Sequence, residues 1–140
     1  MMAYNVLIVD DSAAMRALVR KVLTISGLEL GKCFEGANGL EALEILQQNW
    51  IDLVLADLHM PEMDGAALVK ALRQNHLWQS IPVVLITTER RPAVLAPFFE
   101  YGIQGYIRKP FQPEDIKEKL QNILGEAWVP HARELEGCDF

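Results

Sequence analysis

Five short apolar segments alternate with helix-like segments along the whole chain. The apolar segments, which we predict to be strands, are residues 5–9, 30–35, 53–56, 83–86 and 105–107. Strands that alternate with helices are typical of repeated βα units, in which helices cover both faces of a parallel sheet. A chain of 140 residues is long enough for one well-buried domain and too short for two ordinary ones. The pattern therefore predicts a single α/β domain.

Residues that commonly cap helices mark where the first three helices begin. Ser12, Asn38 and Asp64 each precede a run of apolar residues at helical spacing, and their side chains can accept a hydrogen bond from a first-turn N–H group. Glu41, three residues after Asn38, predicts a capping box. Gly27 fits the end of the first helix, because glycine readily adopts the left-handed conformation found there.

The fourth helix is expected to be irregular near Pro97. A proline inside a helix removes one backbone hydrogen bond and clashes with the carbonyl four residues earlier. It also disfavours helical angles at the preceding residue, Ala96. We therefore expect residues 91–96 to form a loop or one loose turn, and regular helix only from about residue 97 to residue 101.

Residues 1–125 are expected to form the domain, and residues 126–140 an extension or tail. Pro130 and Gly137 interrupt any long helix in this last segment. Its apolar residues Trp128, Val129 and Leu135 suit either docking on the domain or a dimer contact. The sequence leaves both alternatives open.

Charge and hydropathy exclude two classes of partner. The net charge of −6 and the pI of about 5.0 argue against nucleic acid, whose phosphates attract basic surfaces. The N-terminal apolar run is short, and no uninterrupted apolar stretch approaches the roughly 18 residues that span a bilayer. Cys33 and Cys138 form no CxxC pair and are expected to be free thiols. We expect a cytoplasmic protein that binds neither nucleic acid nor a membrane.

Carboxylates follow two of the predicted strands. Asp10 and Asp11 come directly after VLIV, and Asp57 follows DLVLA. If the strand order is 2-1-3-4-5, the ends of the first and third strands are neighbours at the edge where such sheets bind ligands. Three carboxylates in one place repel each other, and either a raised pKa of one of them or a bound cation must relieve the repulsion. Hard oxygen ligands with room for water suit Mg²⁺ best. The sequence therefore predicts a magnesium site.

Hydroxyl and ammonium groups follow the other strand ends. Thr87 and Thr88 come after VVLI, and Lys109 follows GYIR and precedes Pro110. A tight X-Pro turn, either cis or trans, would hold the ammonium toward the acidic pocket. A cation, a hydroxyl and an ammonium around one carboxylate are typical of a site that handles phosphoryl groups.

These motifs together resemble the receiver domain of two-component response regulators, most closely the single-domain chemotaxis type. The resemblance covers residues 5–124 and rests on the order DD, then DLHMPEMDG, then TT, then KPF. It implies a flavodoxin-like, doubly wound sheet of five parallel strands. It also implies that Asp57 accepts the phosphoryl group and that Lys109 pairs with a phosphoryl oxygen. Mg²⁺ would be held by Asp10, Asp11, Asp57 and the backbone carbonyl of His59.

The resemblance also implies a switch and a set of residues that control the phosphoryl lifetime. Thr87 would hydrogen-bond the phosphoryl group, and Tyr106 would turn inward behind it. An alternative for Tyr106 is a strand aromatic that simply packs on the last helix. His59, Thr88 and Glu89 occupy the positions that govern lifetime in the family, and the branched Thr88 departs from the small residue that is usual there.

The function we expect is that of a stand-alone phosphoacceptor switch, not an enzyme. A sensor histidine kinase or a histidine phosphotransfer protein would supply the phosphoryl group, and a downstream protein would receive the signal. One alternative is a small Mg²⁺-dependent phosphohydrolase of similar fold. Such enzymes usually carry a second aspartate two residues after the nucleophile, where this chain has His59. A second alternative is a receiver module of a hybrid kinase or a larger phosphorelay protein.

Overall fold

The computed structural model describes residues 3–124, in which five strands and five helices alternate. The strands are β1 Tyr4–Val9, β2 Leu30–Gly36, β3 Leu53–Ala56, β4 Val83–Thr87 and β5 Gly105–Arg108. The helices are α1 Ala13–Ile25, α2 Gly39–Gln48, α3 Gly65–Gln74, α4 Pro92–Glu100 and α5 Pro113–Leu124. All strand pairs are parallel, in the order β2-β1-β3-β4-β5. The predicted fold class and strand order are confirmed, whereas the predicted tail and Cys138 lie outside the described residues.

The sheet separates two apolar layers, because successive residues of a strand point to opposite faces. In β1, Leu7 and Val9 belong to the layer beneath α2, α3 and α4, while Val6 and Ile8 belong to the layer beneath α1 and α5. The central strand β3 is buried along its whole length, as expected for a parallel strand covered on both faces. Within residues 3–124, no helix combines the length and apolar content needed to cross a membrane.

The predicted caps occur at the helix ends. The side chains of Ser12, Asn38 and Asp64 accept hydrogen bonds from first-turn amides at 2.9–3.1 Å. Glu41 also donates its amide to Asn38, but its carboxylate accepts from the amide of Ala37 instead of closing the capping box on Asn38. Gly27 has a φ of 92° directly after the C-cap of α1, which is the left-handed conformation that glycine favours.

The prediction that the fourth helix is irregular near Pro97 is wrong. The helix is continuous from Pro92 to Glu100 and contains Pro97 in its interior. Pro92 starts the helix, where a missing N–H group costs nothing, and the amides of Val94 and Leu95 both donate to the carbonyl of Arg91. Pro97 removes only one further hydrogen bond. Since Leu95 and Phe98 on either side of it are buried in the apolar layer, packing holds the helix where local propensity disfavours it.

Arg73 joins two loops at the edge of the sheet where the strands begin. Its guanidinium donates to the carbonyls of Gln79 and Ile81 before β4, and to those of Tyr101 and Gly102 before β5. The distances from its nitrogens to these four oxygens are 2.7–3.2 Å. Burial lowers the pKa of Arg73. Four backbone carbonyls thus satisfy a half-buried cation and tie the starts of two strands together.

Arg73→Met is expected to lower the free energy of unfolding by about 2–4 kcal/mol, because hydrogen bonds from a charged group are lost and carbonyls are left unpaired. Urea denaturation followed by circular dichroism measures the change. The matched control is Gln74→Met at the neighbouring exposed position, which should stay within about 0.5 kcal/mol of the unmodified protein. Equal effects of the two substitutions would contradict the role given to Arg73.

Candidate functional site

Backbone hydrogen bonds extend the sheet one residue past the ends of its strands. The amide of Asp57 donates to the carbonyl of Val9 at 2.9 Å, and the amide of Asp10 donates to that of Gly36 at 3.0 Å. The amide of Lys109 donates to the carbonyl of Thr87 at 2.8 Å. The parallel ladder therefore delivers the polar residues to one edge of the sheet, where the chain leaves β1, β3, β4 and β5.

Three carboxylates converge at this edge, as the sequence predicted. Oxygens of Asp10, Asp11 and Asp57 lie within 4.8 Å of one another. Asp10 is 4% exposed, Asp57 is half-buried, and Asp11 is open to solvent. The donor set consists of hard oxygens with access to water on one side, which fits Mg²⁺. A magnesium ion at this place thus agrees with both the chemistry and the spacing of the residues present.

Lys109 neutralises part of this negative charge. Its ammonium lies 2.7 Å from Oδ2 of Asp10 and 3.0 Å from Oδ2 of Asp57. Burial alone would lower the pKa of Lys109, but the hydrogen bonds and charges of the two aspartates outweigh burial and raise this pKa. The Lys109–Pro110 peptide bond is cis, the first of the two alternatives considered from the sequence. The ammonium therefore stays protonated between the carboxylates.

The second oxygen of each of these two carboxylates is held by a backbone amide. Oδ1 of Asp57 accepts from the amide of Leu58 at 2.6 Å, and Oδ1 of Asp10 accepts from the amide of Ser12 at 2.9 Å. Arg16 adds a hydrogen bond to the carbonyl of Asp10 at 2.6 Å. Both carboxylates are consequently fixed in orientation by a local amide on one side and Lys109 on the other.

Thr87 lies at the end of β4 with its side chain fully buried. Its Oγ1 accepts a hydrogen bond from the amide of Glu89 at 3.1 Å. A hydroxyl that accepts this bond still has a proton to donate. Thr88, by contrast, is exposed, so the two neighbouring threonines differ in their surroundings although the sequence presents them as a pair.

His59 and Glu89, which the resemblance linked to phosphoryl lifetime, contact each other. Nε2 of His59 lies 3.4 Å from Oε1 of Glu89. Glu89 is buried and also pairs with Arg91. Hydrogen bonds from the side chain and backbone of Arg91 hold the pKa of Glu89 well below its usual range. The carboxylate is therefore charged at neutral pH.

Tyr106 lies on β5 and packs, partly buried, on the apolar layer beneath α2, α3 and α4. Its ring meets that of Phe99 edge to face, with centroids 6.2 Å apart and an angle of 76° between the planes. Phe99 belongs to α4 and is exposed. The aromatic ring that Tyr106 contacts is thus on α4.

Gly65 also belongs to the site, although no sequence pattern predicted a role for it. A Cβ at this position would lie 2.5 Å from the carbonyl oxygen of Asp57 and 2.9 Å from the Cα of Leu58. The amide of Gly65 also donates to the carbonyl of Leu58 at 2.9 Å. The available signal was a glycine at the first position of a helix, where intrinsic propensity disfavours it. Glycine is required here because α3 starts in direct contact with the backbone of Asp57.

Gly65→Ala is expected to lower the free energy of unfolding by about 1–3 kcal/mol, since a backbone atom must move to admit the methyl group. It should also weaken Mg²⁺ binding, because the carbonyl and carboxylate of Asp57 move together. Chemical denaturation and calorimetric titration with Mg²⁺ measure the two effects. In the control Gly105→Ala, the new methyl group meets the flexible chain of Lys119 at 3.0 Å, and Mg²⁺ binding should be unchanged. Unaltered Mg²⁺ binding in Gly65→Ala would contradict this account.

The fold and the site together define a class of protein. The sheet reverses its winding at β1 and β3, and the acidic residues lie beyond the carboxyl ends of these two strands. This is the switch point at which doubly wound α/β proteins bind their ligands. The molecule is therefore a flavodoxin-like domain with an acidic pocket that could hold a metal ion.

Comparisons with known proteins identify the family. A family model of the response regulator receiver domain matches residues 6–121. The chemotaxis protein CheY homolog of Campylobacter jejuni is 36% identical over 122 residues, which cover 86% of this chain and 92% of that protein. Chemotaxis protein CheY1 of Helicobacter pylori is 40% identical, with coverages of 86% and 97%. The structure of chemotaxis response regulator CheY4 of Vibrio cholerae matches with a TM-score of 0.79 and 33% identity, covering 88% of this chain and all of that one. The chain belongs to the response regulator receiver family.

Family membership confirms the resemblance found in the motifs. Receivers of the CheY type are signalling switches, and phosphorylation by a sensor kinase is their general role. This favours a switch over the alternative of a phosphohydrolase.

Proposed function

We propose that this protein is a phosphoacceptor switch that receives a phosphoryl group on Asp57 from a sensor histidine kinase or a histidine phosphotransfer protein. The observation that carries the proposal is the arrangement around Asp57. Two further carboxylates lie within reach of the same cation, and Lys109 contacts the Asp57 carboxylate directly. A nucleophilic carboxylate surrounded by cation ligands and an ammonium is what phosphoryl transfer to an anion requires.

The transfer joins two anions, and the residues of the pocket reduce their repulsion. A carboxylate oxygen of Asp57 forms the new bond to phosphorus while the bond from phosphorus to the donor imidazole breaks, its electron pair returning to the ring. Asp10, Asp11, Asp57 and the backbone carbonyl of His59 would hold Mg²⁺, which would supply positive charge to the phosphoryl oxygens. Lys109, already placed against Asp57, pairs with a phosphoryl oxygen.

The proposed switch runs from Thr87 to Tyr106. The Thr87 hydroxyl donates a hydrogen bond to the arriving phosphoryl group and moves toward it. The movement disturbs the hydrogen bond from the amide of Glu89 to Thr87 Oγ1. Glu89 lies in the loop that leads into α4. Tyr106 rests on Phe99 of the same helix, so a shift of α4 changes the room available to the Tyr106 ring. A downstream protein reads the altered surface.

The lifetime of the phosphoryl group is assigned to the residues at the mouth of the pocket. His59 and Thr88 are exposed, and Glu89 lies between His59 and Arg91. Water that hydrolyses the acyl phosphate passes between the loops that carry these side chains. The protein thus acts as a cytoplasmic signalling switch that slowly hydrolyses its own acyl phosphate. It signals through protein partners and contacts neither nucleic acid nor a membrane.

Incubation with acetyl phosphate and Mg²⁺ is expected to add one phosphoryl group, detected by intact mass spectrometry. Asp57→Asn should remove the gain completely, because an amide cannot form the acyl phosphate. The matched control is Asp64→Asn, where asparagine can still cap α3, and it should be phosphorylated like the unmodified protein. Chelation of Mg²⁺ should suppress the gain. Phosphorylation that persists in Asp57→Asn would overturn the proposal.

Beryllofluoride, which mimics a phosphoryl group, is expected to shift the NMR signals of the Tyr106 and Phe99 rings. Thr87→Ala should remove most of this shift, since the hydroxyl that senses the phosphoryl group is absent. Thr87→Ser keeps the hydroxyl and should restore it. A full shift at Tyr106 in Thr87→Ala would show that the signal reaches β5 by another route.

A further inference from the structure

Glu89 is the centre of a cluster that links the loop after β3 to the loop after β4. Its Oε2 accepts from the backbone amides of Arg90 and Arg91 at 3.1 and 3.0 Å. The guanidinium of Arg91 donates to both carboxylate oxygens, each at 2.8 Å. His59 reaches Oε1 from the other loop. We define these three side chains, His59, Glu89 and Arg91, as the loop bridge.

The members of the loop bridge differ strongly in exposure. The side chain of Glu89 is 6% exposed, whereas those of Arg91 and His59 are 72% and 63% exposed. A buried carboxylate persists only where donors replace its hydration. The bidentate pair with Arg91 is the geometry in which a guanidinium holds a carboxylate most firmly. Arg91 therefore covers Glu89 from the solvent side, whereas the 3.4 Å contact to His59 is at the long end of hydrogen bonding.

The loop bridge connects residues that directly follow the reacting groups. His59 is two residues after Asp57, and Glu89 is two residues after Thr87, whose hydroxyl accepts from the Glu89 amide. β3 and β4 are neighbours in the sheet, so the bridge spans the gap between the ends of these two strands. The contact between His59 and Glu89 therefore lies across the gap between the two loops.

We propose that Arg91 is a positioning residue that holds Glu89 against His59 and thereby lengthens the life of the phosphoryl group on Asp57. This inference rests on the proposed function. In hydrolysis, the oxygen of water bonds to phosphorus, and the bond from phosphorus to the Asp57 oxygen breaks. The electron pair of that bond stays on the carboxylate, and the proton released by water passes to solvent. The bridge narrows the route by which this water arrives.

Removal of the guanidinium leaves Glu89 with fewer donors in a buried place. A charged carboxylate in that situation turns toward solvent, where it is hydrated. The contact to His59 is then lost and the route for water widens. Phosphorylation itself should continue, because Asp57, Lys109 and the metal ligands make no contact with Arg91 among the hydrogen bonds of the described residues.

The test measures the loss of phosphoryl group from phosphorylated protein by intact mass spectrometry after the donor is removed. Arg91→Ala is expected to raise the first-order rate of loss by about three- to tenfold. Arg91→Lys, which keeps the charge without the bidentate geometry, should fall between Arg91→Ala and the unmodified protein. The matched control is Arg90→Ala, which removes the same charge from the neighbouring exposed residue while keeping its backbone amide. It should decay like the unmodified protein.

A double-mutant cycle separates positioning of Glu89 from a general loosening of the loop. In a Glu89→Ala background, Arg91→Ala should change the decay rate no further, because its target is gone. Equal decay of Arg91→Ala and the unmodified protein would overturn the role of Arg91 and leave the proposed function intact. The role of Arg91 would also be overturned if Arg91→Ala raised the decay rate as much in the Glu89→Ala background as in the unmodified protein. Failure of the unmodified protein to gain a phosphoryl group would instead overturn the proposed function and this inference with it.

Discussion

The hydrogen bond from the amide of Asp57 to the carbonyl of Val9 is the constraint on which the site depends. It carries the β1–β3 ladder one residue beyond the strands and places Asp57 beside Asp10. Two carboxylates held by backbone geometry cannot separate to relieve their repulsion. The ammonium of Lys109 reduces this repulsion because it contacts both carboxylates. The acidic pocket is therefore a direct product of strand register.

An arrangement of this kind needs support from the rest of the fold, because charges gathered in a partly buried place oppose folding. Two apolar layers supply that support, and strand alternation assigns each strand residue to one of them. The layer beneath α4 is strong enough to keep Pro97 in a continuous helix. The same layer also receives Tyr106. The apolar layer that holds α4 in place is thus the same layer against which Tyr106, the proposed switch residue, packs.

The loops after β3 and β4 connect the pocket to the surface of the domain. In the first, Gly65 brings the start of α3 against the carbonyl of Asp57. In the second, the amide of Glu89 binds the Thr87 hydroxyl while its carboxylate pairs with Arg91. A change at Asp57 or Thr87 therefore reaches a helix start within a few residues. Acceptance, lifetime and signal output are proposed to be controlled in these two short segments.

The sequence by itself determined the order of the elements, most of their boundaries and the identity of the polar residues at the strand ends. Alternation, caps and apolar runs are local signals, so they can be read without a structure. Local reasoning was wrong for α4, because burial of Leu95 and Phe98 outweighs one missing hydrogen bond. Only the tertiary structure showed that Lys109 contacts Asp10, 99 residues away. It also showed that Gly65 contacts the backbone of Asp57, and that Glu89 binds both Arg91 and His59. These contacts depend on how far side chains reach between packed elements, which no local pattern contains.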